Sequence, residues 1–312
     1  MSLPGRNELL QVIEQLTRKH LHGKERPLRL ALVALLSGGH ILLEDIPGLG
    51  KTTLALALAK ALGLTFGRIQ CTSDLLPSDI TGLSVFNRES SSFTFVRGPV
   101  FNHVLLVDEV NRAMPKTQSA LLEAMEERQV TVEGATYPLP VPFLVIATQN
   151  PAEQVGTYPL PESQMDRFLV RTGMGYPPAE VEKEIIRFGS IRETLRHIPT
   201  MVEASEILAA RTAVSGIHLS ATVIDYIYRL VAVTRDHPQV QTGISTRGAI
   251  NLAEAAKVQA YLAGREYVIP EDVQEVVVPV SAHRLILRAE LENPDKEQIL
   301  RAIVPTIPVP RS

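Results

Sequence analysis

Cysteine is nearly absent from this sequence, with Cys71 the single one in 312 residues. No internal disulfide can form, and a chain that does without them fits a reducing compartment. A surplus of one charge sign is missing too. Lys and Arg number 31 against 34 Asp and Glu, a net of −3, so no global field draws the chain to nucleic acid or an anionic membrane; only a local basic patch could. The longest apolar run near the N-terminus, Leu30 to Leu36, is far short of the roughly 20 residues that cross a bilayer. Residues Met1 to Arg6 lack the charged-then-apolar layout of a secretory leader, and a cytoplasmic protein with no membrane span is expected. Repeats and low-complexity tracts are lacking as well. What remains is an ordinary globular composition, 45% hydrophobic and 21% charged, in a chain long enough for a sizeable core and about two domains.

One stretch organises the rest. His40-Ile41-Leu42-Leu43-Glu44-Asp45-Ile46 leads into Pro47-Gly48-Leu49-Gly50-Lys51-Thr52-Thr53, which reads as a buried strand, a glycine loop and a helix start. The helix that follows, Leu54 to Leu62, is apolar on nearly every side and belongs inside a domain. Such a loop cradles phosphate. Its glycines let backbone N–H groups turn inward and the helix N-terminus adds partial positive charge; Lys51 can reach outer phosphates and Thr52 can hold Mg²⁺. Asp45 stands where the pattern G-x-x-x-x-G-K-[ST] has its first glycine, so the match is incomplete. A capped helix after a plain glycine turn is the alternative.

Upstream, Leu9, Val12, Ile13 and Leu16 share one face of a helix over Asn7 to Leu21, and Leu28 to Leu36 reads as a second helix. Downstream, strands are expected over Thr65 to Thr72, Val104 to Val107, Pro142 to Ala147 and Phe168 to Val170, with a helix from Pro115 to Glu127. Two hairpins interrupt this order: one flanks Asn87 to Ser92 with a polar tip, the other turns at Glu133-Gly134. Continuous apolar strands alternating with helices imply a parallel sheet covered on both faces. Pro177-Pro178 opens a helix through Phe188, after which the strand pattern stops. Helices over Val202–Ala213, Thr222–Thr234, Thr246–Ala263 and Pro270–Leu287 make a second, all-helical domain, and the Pro-rich tail from Pro305 to Pro310 reads as loose. The division is residues 1–195 and 196–312, near Ile191 to Thr200.

Ligands of open parallel sheets bind at the carboxyl ends of strands. One buried strand ends in the glycine loop, a second in Asp108-Glu109 and a third in Thr148-Gln149-Asn150. Asp108 can hold Mg²⁺ through water while Glu109 orients or deprotonates an attacking water. Two solvated acids capping a strand would look the same in isolation; the Lys51-Thr52 loop upstream favours the catalytic assignment. Asn150 can hold the water or the γ-phosphate, or be an amide in the turn before Pro151. Arg247 begins a helix, where its charge opposes the dipole and a bound phosphate would compensate. Arg167 ends a short helix, where a cation is welcome anyway, and Arg112 is equally open.

These runs resemble a known family. Asp108-Glu109-x-Asn111-Arg112, the segment from Pro115 to Arg128, Ala147-Thr148-Gln149-Asn150-Pro151, Tyr158-Pro159-Leu160-Pro161-Glu162 and Asp166-Arg167-Phe168 look like the MoxR-type AAA+ ATPases, relatives of the magnesium-chelatase motor subunits. The similarity covers nearly the whole chain. It implies an α/β fold, with an αβα nucleotide-binding domain followed by a helical lid. It also implies a homo-oligomeric, hexameric ring with ATP and Mg²⁺ at subunit interfaces. Pro47 to Thr53 would contact nucleotide, with Lys51 as the loop lysine; Thr52 and Asp108 would order the metal. Glu109 would activate water, Asn150 would be the first sensor, Arg247 the lid's phosphate sensor and Arg167 a finger acting on a neighbour's nucleotide. Asp45 departs from the general loop pattern. The two hairpins would face the pore or a client. Family members act in a chaperone-like way with a partner carrying a von Willebrand A domain, often in metal or cofactor insertion. A nucleotide-gated scaffold with incidental turnover is the alternative. A nucleic-acid motor is disfavoured, because the hairpin tips carry little positive charge.

Overall fold

The computed structural model describes residues 3–89, 91–151, 155–188, 194–289 and 295–310. Two helices, α1 (Arg6–Lys19) and α2 (Glu25–Leu36), precede β1 (Ile41–Glu44), α3 (Lys51–Ala61) and β2 (Phe66–Gln70). Helix α4 (Pro77–Thr81) leads into the hairpin of β3 (Gly82–Asn87) and β4 (Ser92–Arg97), then β5 (Val104–Asp108) and α5 (Pro115–Glu127). The second hairpin, β6 (Gln129–Val132) and β7 (Ala135–Pro138), is followed by β8 (Leu144–Gln149), α6 (Glu162–Met165), β9 (Val170–Thr172) and α7 (Ala179–Phe188). Helices then dominate: α8 (Ala204–Ser215), α9 (Ala221–Asp236), α10 (Thr246–Leu262), α11 (Pro270–Ser281) and α12 (Lys296–Ile303). Between them lie the short strands β10 (Val240–Thr242) and β11 (Ile286–Leu287).

The sheet runs in the order β2-β5-β8-β1-β9, every pair parallel. Its central strands read as unbroken apolar runs because both faces are covered. Ile41, Leu43, Val104, Leu106, Leu144 and Ile146 point into one apolar cluster, shared with α2 and α3. The alternate residues Leu42, Leu105, Val107, Val145 and Ala147 point into the other, beneath α5. Buried residues of α8, α10, α11 and α12 join the first cluster, so the helical part leans on the same core that supports α3.

Three local expectations change. The helix read as Pro270 to Leu287 stops at Ser281. Pro279, inside its last turn, has no N–H to give and crowds the preceding carbonyls. Residues 282–284 tighten into a 3₁₀ turn, and Ile286–Leu287 then pair antiparallel with β10, so the second part is not purely helical. The tail is not loose throughout, since Ile307 is buried. Helix α2 also starts three residues before Leu28, because a proline in the first turn, Pro27, loses no intrahelical bond. Both hairpins form as read, although Ser90 at the first tip lies outside the described residues, as do residues 191–193 of the expected domain boundary.

His40 fixes the start of β1. Its Nδ1 accepts from Val145 N–H at 2.9 Å, which leaves Nε2–H to donate to the Met125 carbonyl at 3.2 Å. Burial, with help from the nearby Arg128 charge, pushes its pKa down to about 3. The folded protein therefore refuses a proton that the unfolded chain accepts below its ordinary 6.5. The stability this confers is complete above that value and is lost as pH falls toward 3, at about 1.4 kcal/mol per pH unit. Urea melts at pH 7 and pH 5 should differ by about 2 kcal/mol from this group, and His40→Gln should flatten the dependence. Parallel pH profiles for the two proteins would remove His40 as the cause.

Candidate functional site

The turn from β1 into α3 is built on two left-handed glycines, Gly48 at φ 88° and Gly50 at φ 92°. L side chains rarely tolerate that conformation. Gly50 is the N-cap of α3 and offers no side-chain cap, so the first N–H groups of the helix are left for an external acceptor. A Cβ on Gly48 would meet nothing within 4 Å, which leaves the loop's outer side open. Lys51 Nζ donates to the Asp45 carbonyl of the same loop. Burial lowers its pKa, and the carboxylates of Asp45, Asp108 and Glu109 raise it. The lysine thus stands in the field of the acids that end β5.

Asp45 has a task that accounts for its departure from the loop pattern. Its Oδ1 accepts from Ile46 N–H at 2.9 Å, and its Oδ2 accepts from Met174 N–H at 3.0 Å and Gly175 N–H at 2.8 Å. It ties the loop to the segment after β9 instead of facing a ligand. Lys24, which sequence reasoning passed over, grips that segment from the other side through the Met174 and Gly175 carbonyls. No local pattern around Gly23 to Pro27 signals this, because the partners lie 150 residues away.

At the end of β5, Thr148 Oγ1 donates to Asp108 Oδ1 at 3.3 Å and accepts from Glu109 N–H at 2.9 Å. Asp108 Oδ2 accepts from Arg68 Nε at 2.8 Å. Glu109 sits at φ 56°, ψ 52°, a left-handed conformation that costs a non-glycine residue about 1–3 kcal/mol. It swings the carboxylate off the strand path, where Oε2 accepts from Gln70 Nε2 at 3.0 Å and Arg112 Nη1 at 3.0 Å. Arg112, open on sequence grounds, therefore belongs to the acid pair. Arg68, Gln70 and the hydroxyl of Thr148 are additions. Arg68 and Gln70 alternate on β2, but only the register Gln70↔Asp108 reveals what they face. Asn150 follows β8 and lines, with Gln149 and Asn111, a cleft of about 920 Å³.

The two remaining arginines lie elsewhere. Helix α5 starts just past the acid pair and runs back across the sheet, so Glu126 stands roughly 17 Å along it. Its neighbour Met125 meets His40, at the amino end of β1. Here Arg167 Nη1 pairs with Glu126 Oε2 at 2.9 Å and donates to the Leu122 carbonyl at 2.8 Å. Arg247 Nη2, from the first turn of α10, pairs with Glu126 Oε1 at 3.3 Å, and its Nη1 approaches Asp166 Oδ2 at 3.9 Å. The structure gathers Lys51, Asp108, Glu109 and Arg112 at one sheet edge and Arg167 with Arg247 at the other.

The first group suits a magnesium-bound nucleoside triphosphate. An open glycine turn, a lysine, a hydroxyl at the second position of α3 and one carboxylate match a hard cation that takes its other oxygens from phosphate and water. Among the described residues no cluster of three or more His, Cys, Asp or Glu side chains could hold a metal alone, and no helix is long and apolar enough to cross a membrane.

Comparison with known proteins points the same way. Residues 40–170 match the ATPase family associated with various cellular activities (AAA), and residues 232–303 match the AAA lid domain. The chain is 44% identical to YeaC of Bacillus subtilis over 92% of its own length and 91% of that protein's. It is 40% identical to the chaperone MoxR1 of Mycobacterium tuberculosis, over 93% of this chain and 79% of that protein. A crystal structure from Cytophaga hutchinsonii, described as a candidate ATPase, superposes with a TM-score of 0.91 at 41% identity, covering 98% of this chain and 96% of the other.

Proposed function

The chain belongs to the MoxR-type AAA ATPases, and on that footing we propose that it hydrolyses ATP between neighbouring subunits of a homo-oligomeric, hexameric ring. Residues 1–195 serve as the nucleotide domain and 196–312 as the lid. Pro47 to Thr53 cradle the phosphates, with Lys51 on the outer ones. Mg²⁺, held by Thr52 and Asp108, would neutralise charge on the phosphate oxygens. Glu109 takes the proton of the attacking water, Asn150 steadies that water, and Gln70 and Arg112 orient the Glu109 carboxylate. The work done is chaperone-like remodelling of a partner protein, one that carries a von Willebrand A domain.

One observation supports the shared site above all: Arg167 and Arg247 stand with Glu126 at the sheet edge opposite Lys51. A protomer cannot bring these cations to phosphate on its own glycine loop. A neighbour in a head-to-tail ring can, since such contacts set unlike surfaces against each other and close when the rotation allows. The test is complementation. Lys51→Ala and Arg167→Ala subunits should each be nearly inert, yet their mixture should hydrolyse ATP, because some interfaces pair an intact loop with intact arginines. A mixture no more active than its components would refute the shared site.

A further inference from the structure

Arg167 and Arg247 reach the same carboxylate from different parts of the chain. Arg167 lies between α6 and β9, Arg247 in the first turn of α10. Glu126 uses both oxygens, Oε2 for Arg167 and Oε1 for Arg247. Two guanidiniums so close repel unless an anion lies between them, and Arg247 is disfavoured further by the positive end of its own helix. Asp166 is the other acid in reach, but its Oδ1 is held at 2.7 Å by Arg284. Arg284 is itself buried and donates to the Phe168 carbonyl at 2.8 Å. Glu126 is therefore the acid shared by the pair. Beside it lies a cavity of about 240 Å³ lined by Glu126, Arg167, Gln164 and Ser119, among others. The Gln164 Oε1 atom is buried with no hydrogen-bond partner among the described residues.

We infer that Glu126 is a positioning residue that binds Arg167 and Arg247 into one two-pronged unit aimed at the neighbouring subunit's terminal phosphate. It touches neither nucleotide nor water itself. It acts by holding a lid arginine and a nucleotide-domain arginine side by side, one on each of its carboxylate oxygens. The pair arrives preorganised, and its charge is partly offset until phosphate is present. Because α5 also follows directly from the turn that carries Arg112, the residue on Glu109, a single helix links each protomer's own acid pair to the arginines it lends its neighbour.

This rests on the shared site proposed above, and the experiment separates the two. Glu126→Gln keeps the shape and removes the charge. In the full-length protein at concentrations where turnover has saturated, it should lower kcat about 10- to 100-fold with KM unchanged. By calorimetry, affinity for ADP with aluminium fluoride should drop by a similar factor while affinity for ADP alone stays the same. Glu126→Asp should recover part of both. In a protein already carrying Arg167→Ala and Arg247→Ala, adding Glu126→Gln should change neither single-turnover rate nor analogue affinity. Unchanged kcat in Glu126→Gln, or an equal loss in the background without the arginines, overturns the role of Glu126. Full turnover in Arg167→Ala would instead sink the shared site.

Discussion

Arg167→Ala is expected to abolish the rise of ATP turnover with protein concentration while ATP still binds the single subunit. A guanidinium supplied across an interface is worth ~10³–10⁵ in rate for phosphoryl transfer, and the arginines on the Lys51 side, Arg68 and Arg112, are engaged by Asp108 and Glu109. In the isolated protomer Arg167 is engaged by Glu126 and the Leu122 carbonyl, at the sheet edge opposite the glycine loop. Its loss should leave that loop's hydrogen bonds, the Lys51 environment and the fold alone. The measurement is steady-state turnover across a dilution series, beside nucleotide binding on the same samples. Turnover equal to the parent protein at every concentration would take Arg167 out of the reaction.

Glu109→Gln should have the second largest effect, a fall in hydrolysis of about 10²–10⁴, the usual contribution of a positioned general base. An amide can still accept from Gln70 and Arg112, so the side chain should keep its place, and the backbone N–H of residue 109 should keep its bond to Thr148. Only the basicity goes. On the proposed function, the variant should therefore retain ATP, hold the assembled state and trap the proposed partner. If biological activity survives in this variant, turnover is incidental and the scaffold alternative is correct. If activity is lost while ATP stays bound, hydrolysis is the working step.

The loop and the acid pair were legible in the sequence for a local reason. Apolar runs such as Val104 to Val107 bury themselves wherever they fall, and a strand buried on both faces must release its first polar residues, Asp108-Glu109, at its end. Gly48, Gly50, Lys51 and Thr52 are covalent neighbours, so their joint geometry follows from a few dihedral angles. Asp45 was legible as an anomaly but not as a tether, since its partners Met174 and Gly175 lie some 130 residues on. The break of the helix after Ser281 could have been read from Pro279.

The sequence alone determined that this chain carries a glycine turn of the phosphate-loop type, a carboxylate pair at the end of a later buried strand and an arginine, Arg247, set against its own helix dipole. Tertiary structure decided which of them meet. Parallel register put Gln70 across from Asp108 and Thr148 against both acids. The return of α5 across the sheet carried Glu126 to the edge where Arg167 and Arg247 converge. Periodicity records only whether a residue faces in or out, whereas contacts between distant segments depend on how strands are ordered and how far each helix travels before it ends.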